Sequence, residues 1–154
     1  MTKRPEISSF GGPVGWPQLS LYLTVRDPAA SIEFYGAAFG FRSTGETMTD
    51  DAGNIQHAGM RLGDVAIMFA PAQPGGGMQS PAASGAPDSH TFYIYVPDVD
   101  ALAKQATAAG ATVLQPPADQ FWGDRIAIFK CPDGYHWTFA THVADFDPSK
   151  AAEH

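Results

Sequence analysis

A chain of 154 residues with 44% apolar side chains can bury a full domain core, and its net charge of −7 repels phosphate backbones and anionic membrane surfaces, which excludes nucleic acid and membrane as partners. The lone cysteine, Cys131, excludes an internal disulfide, and no segment approaches the roughly 20 apolar residues of a membrane span. The opening MTKRPEISSF lacks the apolar stretch of a signal peptide, so a cytoplasmic protein is expected. In chain order, the first 17 residues read as a peripheral arm. Ser20 to Val25, SLYLTV, alternates as a strand does, and Asp27-Pro28 supplies an N-cap followed by proline at the first helical position. Ile32, Tyr35 and Phe39 then recur at helical spacing up to Gly40, where a C-terminal cap belongs. Strands are predicted at Phe41 to Met48, Ile55 to Leu62 and Val65 to Ala70, separated by turn residues around Gly53 and Gly63.

Residues 73–89, rich in Gly, Pro, Ser and Ala, read as a flexible linker or mobile flap. The order then repeats. Thr91 to Val96 is a strand, Asp98 or Asp100 caps a helix through Ala109, and Gly110 ends it. Ala111 to Leu114, Ile126 to Lys130 and His136 to Thr141 follow as strands, with Pro132-Asp133-Gly134 as the last turn. TVRD aligns with YVPD and IMFA with WTFA, so a βαβββ unit is written twice, over about residues 18–72 and 90–145, with a peripheral tail at 146–154.

These residues resemble the vicinal oxygen chelate superfamily of glyoxalase I, extradiol dioxygenases, fosfomycin-resistance transferases and bleomycin-binding proteins. The resemblance rests on V-x-D before each helix, Phe34, Tyr35, Phe39 and Gly40 in the first helix, the A-G-A-T of Ala109 to Thr112, and P-D-G-Y before the last strand. More narrowly, IQHAGMRLGD, DQFWGDR and CPDGYHWTFATH are similar to its PhnB-like branch. The resemblance implies an α+β fold in which two βαβββ modules form a curved mixed sheet around a concave cavity. It is specific for fold and not for reaction.

Strand parity sorts the side chains. Leu21, Leu23 and Val25 pack under the helices, leaving Ser20, Tyr22 and Thr24 on the concave side. Phe92, Ile94 and Val96 go to the core, leaving Thr91, Tyr93 and Tyr95. His90 shares parity with Phe92 and points away from the cavity unless a one-residue bulge turns it inward. The resemblance places metal ligands, where the family has them, at Ser20, Met68, Thr91 and Thr138. Neutral hydroxyls and one thioether do not replace the imidazoles and carboxylates that Zn, Ni, Mn or Fe require, so no metal and no cofactor are expected.

His136 shares parity with Thr138 and should face the cavity near its rim. His57 stands in the segment resembling HAEL, whose glutamate position is Gly59 here. Both histidines can flank a ligand as donors or as a proton shuttle, or can simply be hydrogen-bonded on half-buried strands. In Asp119 to Arg125, Trp122 offers a stacking wall, and Arg125 can pair with Asp119, Asp124 or a ligand carboxylate. The resulting expectation is a bleomycin-resistance-like, metal-free, homodimeric binder of a partly aromatic small molecule. Its cavity is lined by Ser20, Tyr22, Met68, Thr91, Tyr93, Tyr95, Trp122, Arg125, His136 and Thr138. The competing expectation is a glyoxalase-superfamily lyase or isomerase acting on a 2-oxo or enolisable substrate, with His57 or His136 as acid or base.

Overall fold

The computed structural model describes residues 4–153, apart from the side chains of Glu46, Ala152 and Glu153; residues 1–3 of the arm and His154 of the tail lie outside it. The first module runs β1 (Ser20–Val25), α1 (Pro28–Phe39), β2 (Arg42–Thr49), β3 (Ile55–Leu62) and β4 (Val65–Pro71). The second, after a short helix α2 (Pro81–Ser84), runs β5 (Thr91–Tyr95), α3 (Val99–Ala108), β6 (Thr112–Asp119), β7 (Asp124–Lys130) and β8 (His136–His142). Each module forms its own four-stranded mixed sheet, ordered β1-β4-β3-β2 and β5-β8-β7-β6, with one parallel pair where the first strand meets the last. This is the α+β fold of paired βαβββ modules.

The predicted caps start both helices. Asp27 accepts from the Ala29 and Ala30 amides at 3.0 and 3.2 Å, and Gly40 closes α1 at a φ of 79° that side chains other than glycine's resist. Asp98, rather than Asp100, caps α3 by accepting from Ala101 at 3.0 Å.

Both helices lie between the two sheets. Tyr35 of α1 touches Phe69 of the first sheet and Trp137 of the second, and Phe39 reaches Phe129 and Phe139. These rings share one core with Ile67, Ile94, Val99 and Ala106. The P-D-G-Y turn closes the module junction. Asp133 accepts from the Arg26 amide at 3.0 Å, its guanidinium at 3.3 Å and Ser31 at 3.3 Å, while Tyr135 donates to the Thr24 carbonyl at 2.9 Å.

Two segments differ from the sequence reading. β6 is longer than predicted and passes through Pro116 and Pro117, which an edge strand tolerates because its outer amides need no partner; its pairing with β7 slips at Val113/Gln115 and again at Gln115/Ala118. The linker is anchored rather than uniformly loose. Ser80 is buried and caps α2, and the Ala82 amide donates to the Asp133 carbonyl at 2.8 Å.

Candidate functional site

With the helices between the sheets, the opposite face of each sheet points outward. In the second module, β5 alternation sends Thr91, Tyr93 and Tyr95 to that face, and Tyr93 and Tyr95 are 42% and 63% exposed. Across the sheet, β7 contributes Asp124 and β8 contributes His142, paired in register. Asp124 joins them all. Its Oδ2 accepts from the Tyr93 hydroxyl at 2.6 Å and the Tyr95 hydroxyl at 2.8 Å, and its Oδ1 lies 2.8 Å from His142 Nδ1. Trp122 Nε1 donates to the Tyr93 oxygen at 3.3 Å. The carboxylate is only 2% exposed, covered by the rings it binds.

That network sets the protonation states. Burial pushes the Asp124 carboxyl upward, but the hydrogen bonds from Tyr93, His142 and Tyr95 outweigh it and hold the group below the usual carboxylate range. Burial and the bond to the Asp124 anion push Tyr93 up to about 12, so it is a phenol, not a phenolate, at neutral pH.

The first module's outer face is arranged differently. The Tyr22 hydroxyl lies 3.3 Å from His57 Nδ1, and Met68 stands in register with both Tyr22 and Gly59. The arm lies across this face: Trp16 Nε1 donates to Ser20 Oγ at 2.8 Å, and Arg61 donates to the Gly15 carbonyl at 2.6 Å while its guanidinium sits 5.8 Å from the Trp16 ring centre. Gly59 is required by close approach, since a Cβ there would lie 2.8 Å from Thr44 Oγ1 and 3.7 Å from the Trp16 ring. Beside Tyr22, the linker residues Gln73, Gly76 and Met78 enclose a cavity of about 320 Å³ with Thr24 and Gln56.

The expected residues therefore divide into groups. Tyr93, Tyr95 and Trp122 converge on one face, and Ser20, Tyr22, His57 and Met68 on another. His136 sits on the second sheet beside the linker, its amide bonded to Asp88 at 3.0 Å, so within one chain the two candidate acid–base histidines stand on separate sheets. Arg125 points to the helix side of β7, where Asp100 binds it bidentately at 2.8 and 3.0 Å and Asp119 at 3.0 Å; it clamps α3 and the loop rather than facing the tyrosines. His90 packs edge-on against Phe92 and pairs with Asp88 at 3.0 Å, as its parity required. Sequence reasoning missed Trp16, Asp124 and His142. The parity that sends His136 outward, carried along β8, sends His142 to the same face, and the same rule applied to β7 would have found Asp124 beside it.

The structure thus defines a protein of paired βαβββ modules whose outward sheet faces carry aromatic and hydroxyl-bearing side chains. Residues 17–139 match the glyoxalase/bleomycin resistance protein/dioxygenase superfamily, and the chain belongs to that family. It is 36% identical over 132 residues to Mb0911c, an uncharacterised protein of Mycobacterium bovis, covering 84% of this chain and 86% of the relative. It is 32% identical over 107 residues to a protein of the same organism named as a glyoxylase, CFP32, covering 70% of this chain but only 37% of that longer protein. Among solved structures, TioX from Micromonospora sp. ML1 is similar with a TM-score of 0.64 and 26% identity, covering 81% of this chain and 98% of TioX.

The metal positions that the family uses do not fit a metal here. Ser20 Oγ is engaged by Trp16, Thr91 and Thr138 hydroxyls are bonded to each other at 2.8 Å with Thr138 buried, and Met68 offers only a thioether. Among the described residues, no group of three or more His, Cys, Asp or Glu side chains is arranged to hold an ion. No helix among the described residues is long and apolar enough to cross a membrane.

Proposed function

We propose that this chain is a small-molecule-binding protein of the bleomycin-resistance kind, working without a resident metal and holding a partly aromatic ligand against its outward sheet faces. Within the superfamily we assign it to the PhnB-like branch, on the segments IQHAGMRLGD, DQFWGDR and CPDGYHWTFATH. The observation that carries the functional reading is the grouping of Tyr93, Tyr95 and Trp122 into one hydrogen-bonded aromatic surface. Flat rings fixed by a buried acceptor provide stacking area at little entropic cost.

A homodimer completes the reading. In a single chain the two outer faces point apart, and the tyrosine face of the second module, with Tyr93 and Tyr95 exposed, is an open surface rather than a pocket. A second copy that lays its first module over this chain's second module converts two open faces into two enclosed cavities related by a two-fold axis. The lyase or isomerase reading is less well supported, because neither His57 nor His136 is held by a buried carboxylate through its ring.

The test is a thermal-shift screen of purified protein against aromatic drugs and 2-oxo compounds, run with and without chelator. A stabilising aromatic ligand whose effect survives chelation is expected. Ligand binding that vanishes with chelator, or turnover of a 2-oxo compound abolished by His57→Gln, would sink the reading.

A further inference from the structure

We propose that the ligand seated on the second module's outer face is an organic cation, a protonated amine or quaternary ammonium, held on the rings of Tyr93, Tyr95 and Trp122 above the Asp124 carboxylate. The proposal rests on the ligand-binding reading above and names the chemistry that this face selects.

A neutral aromatic ligand would need the rings but not the carboxylate. Burying an anion is costly unless a cation or a full set of hydrogen bonds compensates it; among the described residues Asp124 has no Lys or Arg partner and is held by the Tyr93 and Tyr95 hydroxyls on Oδ2 and by His142 Nδ1 at 2.8 Å on Oδ1. Two of its hydrogen bonds come from phenols whose rings are themselves exposed. A phenol donating to an anion has a more electron-rich ring, which strengthens the attraction of its face for a cation. Tyr93 and Tyr95 lie 5.6 Å apart at an interplanar angle of 65°, so their faces are differently tilted, and Trp122 is tied to the Tyr93 oxygen by its indole N–H.

Two internal comparisons sharpen the argument. The adjacent Arg125, which could have neutralised the site, is turned to the other side of β7 and occupied by Asp100 and Asp119. In the first module, the Trp16 ring already carries a resident cation, the Arg61 guanidinium, 5.8 Å from its centre. Among the described residues no Lys or Arg stands over the rings of Tyr93, Tyr95 or Trp122, and the basic side chain that reaches Asp124 is His142, at the other carboxylate oxygen. The chain's net charge of −7 further favours approach of a cation over that of an anion.

The test compares choline with 3,3-dimethylbutan-1-ol, its uncharged isostere, and with 2-naphthol, a neutral aromatic. The full-length protein is titrated by two-dimensional NMR on the Trp122 indole signal, assigned from its loss in Trp122→Phe. Choline is expected to bind about tenfold more tightly than the isostere, within the range that cation–aromatic attraction supplies. Asp124→Asn should reduce that ratio to about threefold or less, and Tyr95→Leu, at a ring too exposed to hold the fold, should weaken choline by roughly threefold or more. If Asp124→Asn does not fold, Tyr95→Leu decides. Equal binding of choline and its isostere overturns the proposal, as does a ratio unchanged in both variants. Binding of 2-naphthol without preference for choline would leave the aromatic-ligand reading standing alone. A Trp122 signal unmoved by all three compounds would remove both.

Discussion

Tyr93 and Ile94 are adjacent in the chain and serve opposite purposes, because a strand turns successive side chains to opposite faces. Ile94 is buried in the shared core, whereas Tyr93 stands on the outer face. Ile94→Ala is expected to cost about 2 to 5 kcal/mol of stability in chemical denaturation, with ligand affinity nearly unchanged while the protein remains folded. Tyr93→Ala should instead weaken an aromatic ligand roughly two- to twelvefold with a smaller loss of stability. The reverse pattern would invert the facing of β5. Proton linkage gives a second check at this scale. Tyr93 titrates at about 12 in the folded chain, above the value of a free phenol near 10, so the folded state holds this proton more tightly. The stabilisation is complete below pH of about 10 and is lost as pH rises toward 12. Asp124, held low, behaves oppositely: it stabilises above the ordinary carboxylate range, and its contribution fades as acid protonates it. A difference titration of tyrosine absorbance between wild type and Tyr93→Phe should reveal the late phenol, and Asp124→Asn should bring its midpoint down. A Tyr93 midpoint unmoved by Asp124→Asn would break the link between the two groups. The facing of these tyrosines was readable from sequence, since alternation needs no partner strand. The role of Asp124 was not, because it depends on β7 and β5 being brought across β8, which no local pattern encodes.

Elements bounded by a cap or a tight turn were legible; those shaped by an edge or a neighbouring module were not. Asp27, Gly40 and Asp98 announce helix ends through chemistry that acts within a few residues. By contrast, β6 outran its prediction because Pro116 and Pro117 normally argue against a strand, and only an edge position makes them harmless. The linker's anchoring to the P-D-G-Y turn is equally nonlocal. Trp16 belongs with these: in an arm read as peripheral, it instead packs over Gly59, where a Cβ would lie 3.7 Å from its ring. The loop from β6 to β7 shows how one element holds the site. Gly123 has a φ of 99°, and its carbonyl accepts from the Val143 and Ala144 amides at 2.9 and 3.0 Å, tying the Trp122 loop to the chain leaving β8. A Cβ at Gly123 would run into the Ala144 carbonyl. Gly123→Ala should therefore cost about 1 to 3 kcal/mol from backbone conformation alone, with the clash adding to it, and should release Trp122 from Tyr93. The measurements are a denaturant melt and the Trp122 indole signal. An unchanged melt would mean that the loop relaxes without loss.

At the scale of the whole molecule, the sequestered helices decide what the surface must do. Placing α1 and α3 between the sheets gives this chain one well-packed aromatic core, but it leaves large rings on both outer faces: Tyr22 is 48% exposed, beside the 42% and 63% of Tyr93 and Tyr95. It also leaves β1, β2, β5 and β6 as sheet edges. Exposed ring-bearing faces of this kind mark a surface that another molecule covers, and unpaired edges favour a symmetric partner that shields them. The proposed two-fold homodimer would satisfy both demands, because one contact repeated by symmetry would cover the first module of each copy with the second module of the other. Light scattering at micromolar concentration should give the mass of two chains, and a mass of one would contradict the arrangement. The same geometry predicts how the dimer fails. Arg substituted for Tyr22, an outward ring remote from the shared core, should shift the protein toward monomer and weaken ligand binding together while each chain stays folded, since the proposed dimer places the ligand between copies. Retention of ligand affinity by a Tyr22→Arg monomer would show instead that the second module's face binds unaided, with the partner serving only to shield edges.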